Sequence, residues 1–356
     1  MRQNRFPVID ADGHVIESQQ QLAECVGGGP ISGSGAYTLF PSLDGWFRAS
    51  NLTSPGRRDT PDPDIWLSFL DECGIEQTVL YPTAGLAAGL IQDPSWAVTL
   101  CRAYNTWLHA TYTSASPRFQ GVALLPVQDV AAAAQELRRA HEELGFPAGM
   151  LCANNVLGKG YGHADFWPLY AEAERLGVAL AVHGAPSRGL GFDYLTTFIE
   201  THTLEHPVAG MIQLTNMTFQ GVFEAFPGLR VAYLESGAGW MPYMMDRLDE
   251  EYERRGAKWA PRLTKRPSEY LSGGQVYVSV ESEERTLPYV LELFGEDHVF
   301  FASDYPHERA RHEFLPDIPE LAARPDLSDA AKRKILADNA RRFYRLPSTV
   351  PQGSAG

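Results

Sequence analysis

The sequence predicts a (β/α)₈ barrel with a long insertion after its first strand. Three observations predict it. Eight short apolar or β-branched runs recur along the chain, separated by segments of helical periodicity. No glycine-rich phosphate loop follows the first run, which counts against a doubly wound open sheet. The chain has 356 residues, a length that closed α/β barrels reach as one domain.

The runs, in order, are 7–12 (PVIDAD), 77–81 (QTVLY), 120–127 (QGVALLPV), 148–153 (AGMLCA), 178–183 (VALAVH), 229–235 (LRVAYLE), 275–281 (QVYVSVE) and 298–303 (HVFFAS). Helices are expected between them. The stretch 94–114 carries Trp96, Leu100, Tyr104, Trp107 and Leu108 at helical spacing. The stretch 130–144 is rich in alanine and glutamate, and 164–176 brings Phe166, Leu169, Tyr170 and Ala173 to one side. Ser328 has the character of an N-cap ahead of a basic amphipathic helix over 332–344. Residues 27–61 break the repeat, being rich in Gly, Ser and Pro with Tyr37, Phe40, Trp46 and Phe47 among them. They are expected to form an insertion serving as a lid or dimer contact. One domain is expected over 1–346, with a flexible tail over 347–356.

Composition narrows the function. The net charge of −14 leaves no basic footprint for nucleic acid and disfavours anionic membrane surfaces. No apolar run has the length of a membrane span, and no apolar signal region opens the sequence. Cys25, Cys73, Cys101 and Cys152 form no CxxC pair and are too few for a disulfide framework in so long a chain. Free thiols in a reducing cytoplasm are the expectation. A small-molecule substrate is the expected partner, with a homodimer as the expected assembly.

In a parallel barrel the chemistry sits where strands end at their carboxyl side. The first run ends in Asp10-Ala11-Asp12-Gly13-His14, and strand alternation places Asp10, Asp12 and His14 on one face. A polar turn with a capping aspartate would explain the same residues. The fifth run closes on His183, a residue that in isolation is more often a satisfied core histidine. The sixth ends in Glu235, the seventh in Glu281, and the eighth leads into Asp304. An ionised aspartate after HVFFAS is costly to bury without a cation or donors, although an aspartate near proline also serves as a turn residue. Imidazoles and carboxylates converging from several strands suit a divalent ion: zinc first, with manganese or iron as alternatives. Such an ion lowers the pKa of bound water or polarises a substrate oxygen.

The segments VIDADGHVIE, AVHGAP, GVFEAFPGLRVAYLESGAGWMPYMMDRLDE and FASDYPH resemble the amidohydrolase superfamily. They are similar in particular to its branch containing aminocarboxymuconate-semialdehyde decarboxylase and γ-resorcylate decarboxylase. The likeness spans nearly the whole chain in barrel order. It implies a metal held by Asp12, His14, His183 and Asp304, with Asp304 also moving the proton. Asp12 stands where the family has histidine or glutamate. Glu235 stands where the family often has a catalytic histidine, so His206, or His202 four residues before it, becomes a candidate to supply the imidazole. Arg188, Trp240 and His307 are candidate substrate contacts, with Arg57 and Arg58 as further carboxylate holders. The implied reaction is non-oxidative decarboxylation of a small aromatic or unsaturated carboxylate. Hydrolysis of an amide, lactone or C–C bond by metal hydroxide is the alternative, and a barrel that only binds a ligand is the second.

Overall fold

All eight runs form strands, with edges shifted by a few residues. They are β1 (Ile9–Val15), β2 (Gln77–Pro82), β3 (Phe119–Leu124), β4 (Ala148–Cys152), β5 (Ala179–His183), β6 (Val231–Leu234), β7 (Val276–Val280) and β8 (Val299–Phe301). The computed structural model describes residues 4–26, 39–41, 43, 61–187, 189–307 and 309–347. The strands follow one another around a single sheet, each parallel to the next. Backbone bonds close the ring. The His14 N–H donates to the Tyr305 carbonyl at 2.8 Å, and the Asp304 N–H donates to the Asp12 carbonyl at 2.9 Å. The strands are buried almost throughout because helices cover the outside and side chains fill the inside. That double burial is why they read as continuous apolar runs.

The helical expectations are met where capping chemistry supports them. Asp62 and Asp93 cap the helices Pro63–Cys73 and Pro94–Leu108 by accepting from backbone N–H groups, and proline opens both. The run expected over 94–114 leaves α-helical winding at Leu108 and finishes as one wider turn, His109–Thr113. The helices Val130–Leu144 and Trp167–Leu176 end on Gly145 and Gly177 in the left-handed region (φ 75° and 68°). Thr197 and Glu200 cap each other at the start of the 22-residue helix Phe198–Phe219. Ser328 accepts from the Ala331 N–H as expected, and the helical segment that follows runs to Tyr344. The Tyr344 hydroxyl donates to the Ala11 carbonyl at 2.8 Å, tying that segment to β1.

One expectation fails. Between β1 and β2 the pairing moves from Asp10↔Thr78 to Gly13↔Leu80, three residues against two, so β1 carries a bulge. Simple alternation therefore does not hold, and Asp10 does not join Asp12 and His14. Its buried carboxylate accepts from Thr78 Oγ1 at 2.7 Å, the Ser303 N–H at 2.8 Å and Ser303 Oγ at 2.8 Å. Asp10 is a clasp joining β1, β2 and the segment after β8. Burial pushes its carboxyl up to about 6, against the pull of those donors.

Outside the barrel, Glu172 pairs the helices Val130–Leu144 and Trp167–Leu176. It accepts from Arg175 Nη2 at 2.7 Å and Nε at 3.0 Å, and from Arg138 Nε at 2.7 Å. The two guanidiniums hold its carboxyl down at about 2. The folded pKa lies below the unfolded one, so this contribution is present above the ordinary glutamate value and fades as pH falls toward 2. With both arginines half-exposed, it is worth about 1 kcal/mol. The stability gap between wild type and Glu172→Gln should be constant above about pH 5 and close at lower pH in acid denaturation series. A gap that does not change with pH would refute the assignment.

Candidate metal centre and active site

The bulge in β1 and the ends of β5 and β8 bring four side chains from distant parts of the chain together. His14 Nε2 lies 3.4 Å from Asp12 Oδ1 and 3.4 Å from Asp304 Oδ1. His183 Nε2 lies 3.3 Å from both Asp12 oxygens. The two imidazoles cross edge to face with centroids 5.0 Å apart, within the reach of one shared ion. Each ring is oriented by a backbone carbonyl. His14 Nδ1 donates to Pro82 O at 2.8 Å, and His183 Nδ1 donates to Gly184 O at 2.9 Å. With Nδ1 as donor, a neutral ring presents the lone pair of Nε2 to the carboxylates.

This arrangement fits a cation. Burial, together with the neighbouring His307, lowers the pKa of His14, so its ring stays neutral. Its buried Nε2 makes no hydrogen bond among the described residues, yet faces two carboxylate oxygens. Lone pairs facing one another at that distance repel unless positive charge lies between them. Burial alone would raise Asp12, but the adjacent imidazoles outweigh it and hold the carboxyl well below its usual range. His183 is displaced in the complementary direction, raised by Asp12 against the effect of burial. Metal-competent donor atoms fall into two overlapping groups, Asp12, His14 and His183, and His14, Glu235, Asp304 and His307. Oxygen and imidazole donors of this kind suit zinc, manganese or iron.

Around this centre stand further acids and bases. Glu235 and Asp304 both have backbone in the left-handed region, with φ of 58° and 55°. Such conformations are uncommon for these residue types and gather at functional sites. Glu235 lies among three imidazoles. Its Oε2 is 3.4 Å from His183 Nδ1 and 3.3 Å from His206 Nδ1, and its Oε1 is 3.9 Å from His307 Nδ1. His206 Nδ1 donates to the Glu235 carbonyl at 2.8 Å, and burial with help from His202 pushes its pKa down to about 3. Gly184 permits this approach, since a Cβ there would lie 2.8 Å from both His206 Nδ1 and Glu235 Oε2. Asp304 keeps 37 % of its side chain open, yet the surrounding protein displaces enough water to push its carboxyl up to about 6.

A cavity of about 190 Å³ opens over the centre, with Asp12, Glu235, Glu281, Asp304, His307 and Arg309 among its walls. Arg309 is held by Asp317 through two bonds of 3.1 and 2.7 Å. The space is of the order that admits a single ring, since a cavity of about 150 Å³ accepts benzene.

The candidates from the sequence fall into three groups. Asp12, His14, His183 and Asp304 converge, with Glu235 and His307 beside them. His206 is buried against Glu235 and does not line the cavity. Trp240 is likewise not a wall of it: its indole N–H donates to Gly237 O at 2.8 Å and its ring packs on Tyr233. Arg188, Arg57 and Arg58, and nearly all of the 27–61 insertion and the tail, lie outside the described residues. Sequence reasoning missed Glu17 and Thr83. The buried Glu17 carboxylate accepts from the N–H groups of Thr83, Ala84 and Gly85 at 3.2, 2.8 and 2.8 Å. Thr83 follows directly on β2, and that position was the available signal.

Comparison with known proteins places this geometry in a family. The amidohydrolase family model matches residues 9–346. A γ-resorcylate decarboxylase of Rhodococcus jostii (strain RHA1) is 30% identical over 300 residues, covering 80% of this chain and 87% of that protein. A 2-amino-3-carboxymuconate-6-semialdehyde decarboxylase of Dictyostelium discoideum is 28% identical, covering 80% of this chain and 77% of that protein. In fold, the chain is similar to a dihydroxybenzoic acid decarboxylase of Polaromonas sp. JS666, solved with manganese and the inhibitor 2-nitroresorcinol. The TM-score is 0.72 at 23% identity, covering 96% of this chain and 97% of that one. The chain belongs to the amidohydrolase family, within the branch that includes the two decarboxylases named above, and is an enzyme.

Proposed function

We propose that this enzyme removes carbon dioxide, without oxidation, from a small aromatic or unsaturated carboxylate. The observation that carries the reading is Asp304, a carboxyl that is open to a ring-sized cavity and adjoins the imidazole–carboxylate centre. A carboxyl so placed can pass a proton to a ring held in that cavity. The names of the Rhodococcus and Dictyostelium relatives support the reaction class. Asp12, His14, His183 and Asp304 would hold a divalent ion. That ion would polarise and orient the substrate's oxygens.

The chain's own residues perform the rest. Asp304 delivers its proton to the carbon bearing the carboxylate. The bond to that carboxylate then breaks, its electron pair returns to the ring or alkene, and carbon dioxide leaves. The Asp304 carboxylate then takes a proton from water. Glu235, aimed inward by its left-handed backbone, sets its carboxylate beside His183, and its carbonyl accepts from His206 Nδ1. The cavity walls hold the ring over Asp304 and limit the space for water.

Glu235 supports a second reading, because a carboxylate on the cavity wall beside the centre can also activate water for hydrolysis. Product analysis on a panel of hydroxybenzoates and lactones separates the two. Carbon dioxide release with no solvent oxygen in the product is expected; incorporation of labelled water oxygen would move the assignment to hydrolysis. Dialysis against a chelator should abolish turnover, and adding back zinc or manganese should restore it. Less than about a tenth of an equivalent of metal, with no gain on reconstitution, would instead leave a barrel that only binds a ligand.

We extend the proposal to zinc as the resident ion, with manganese, present in the Polaromonas structure, as the alternative. A homodimer in the cytoplasm completes it. Four unpaired cysteines, three of them buried, support a reducing compartment. No helix among the described residues is long and apolar enough to cross a membrane. Elemental analysis, sedimentation and cell fractionation test these three points.

A further inference from the structure

Three serines stand in the walls of the cavity over the centre: Ser279 near the end of β7, Ser282 just beyond that strand, and Ser303 after β8. Each hydroxyl has one proton to give. Ser303 gives its proton to Asp10 Oδ2 at 2.8 Å, and Ser282 gives its own to Glu283 Oε2 at 2.8 Å. Ser279 differs. Its Oγ accepts the Glu235 N–H at 3.1 Å, and its own proton has no acceptor among the described residues. The residue is 3 % exposed, so bulk water gives it little relief. A buried hydroxyl whose proton finds no partner is costly, and a strand otherwise made of Val276, Tyr277, Val278 and Val280 has no packing need for one. The position lies at the carboxyl end of the barrel strands, where this fold binds its ligands.

We infer that Ser279 is a specificity-determining residue, whose hydroxyl donates to a hydroxyl oxygen on the substrate's ring, away from the carboxylate that leaves. The Glu235 N–H takes one lone pair of Oγ, so the Ser279 proton points away from that N–H, and the cavity borders the same residue. The surroundings choose between possible acceptors. Glu235, Glu281 and Glu283 share these walls, while the charge of Arg309 is matched by Asp317 through two bonds. A second carboxylate on the ring would meet that excess of negative charge. A hydroxyl carries no charge. It accepts from Ser279 and still has its own proton to give to one of the wall carboxylates. The cavity thus favours a ring that carries a further hydroxyl over one that carries a further carboxylate, and Ser279 reads the difference.

The inference rests on the proposed decarboxylation of an aromatic carboxylate, and the test separates the two. It couples a substitution to a substituent. 2-Hydroxybenzoate and its 3-, 4-, 5- and 6-hydroxy derivatives are assayed with the metal-loaded wild type and with Ser279→Ala. In the wild type, a hydroxyl at one ring position should raise kcat/KM by about 10- to 100-fold over 2-hydroxybenzoate, and a carboxylate at that position should not. Ser279→Ala should lower kcat/KM at least about tenfold more for the favoured derivative than for 2-hydroxybenzoate. Equal losses on every substrate would show that Ser279 only holds the Glu235 turn, and would overturn the inference. So would a wild type indifferent to ring hydroxyls. Binding gives a readout without turnover: phenol, catechol, resorcinol and hydroquinone are titrated by calorimetry. One benzenediol should bind the wild type about five- to tenfold more tightly than phenol and lose that advantage in Ser279→Ala. Ser279→Cys, close in shape but a weaker donor, should lose most of it and carries the comparison if Ser279→Ala does not fold. If the wild type turns over none of the hydroxybenzoates, the decarboxylase reading fails. The titrations then decide the role of Ser279 independently, and an advantage absent from the wild type or kept in the variants refutes it.

Discussion

Asp304→Asn is expected to lower turnover by about 10³-fold while leaving the fold intact. Asparagine matches aspartate in shape and tolerates the left-handed backbone at this position, where φ is 55°. It cannot carry the transferable proton or the negative charge facing His14. Circular dichroism and melting should therefore match wild type within a few degrees, while kcat collapses. His183→Ala should be equally inactive for a different reason. It removes an imidazole whose Nε2 faces both Asp12 oxygens at 3.3 Å, and metal content should fall with activity. Comparing the two variants weighs proton transfer against ion binding: the asparagine side-chain oxygen keeps one donor on the ion, so bound metal should fall less in the first than in the second. If both fail to fold, the residues are structural. If Asp304→Asn turns over near the wild-type rate, Asp304 is not the acid.

The second large effect falls on stability. Asp10→Ala should destabilise the protein by about 3–5 kcal/mol, because it strands several buried donors at once. Thr78 Oγ1, the Ser303 N–H and Ser303 Oγ all donate to this carboxylate, and Asp10 itself is 0 % exposed. The clasp spans the line where the last strand meets the first, so its loss weakens closure of the whole sheet. Asp10→Asn keeps an acceptor and should cost less. Urea unfolding of both variants checks the ranking. A loss of under about 1 kcal/mol in Asp10→Ala would show that water or a rearranged neighbour takes over those bonds.

Much of this architecture is legible in the residues themselves. Parallel strands buried on both faces must be apolar along their length, so runs such as VALAVH and HVFFAS stand out without any knowledge of their partners. The polar residues closing those runs are equally visible, which is how His183, Glu235 and Asp304 came to be singled out. Asp10 was misread because strand alternation assumes an unbroken ladder, and a bulge depends on pairing with a strand some 70 residues away. Glu17 and Thr83 escaped notice for a related reason. Their bonds join positions 17, 83 and 307 through backbone N–H groups and one hydroxyl, and no local pattern encodes such a meeting.

Gly13, between Asp12 and His14, bears on any attempt to move this site to another scaffold. A Cβ there would come within 2.7 Å of Thr78 Oγ1, 2.7 Å of Trp66 Cη2 and 2.8 Å of Asp10 Oδ2. The spacer in the Asp-Gly-His triplet is thus dictated by neighbours that never touch the chemistry. Grafting Asp12 and His14 alone onto a regular strand would splay them to unsuitable angles. A working transplant has to bring the irregular strand, its glycine, and the tryptophan and threonine pressing on it as one unit.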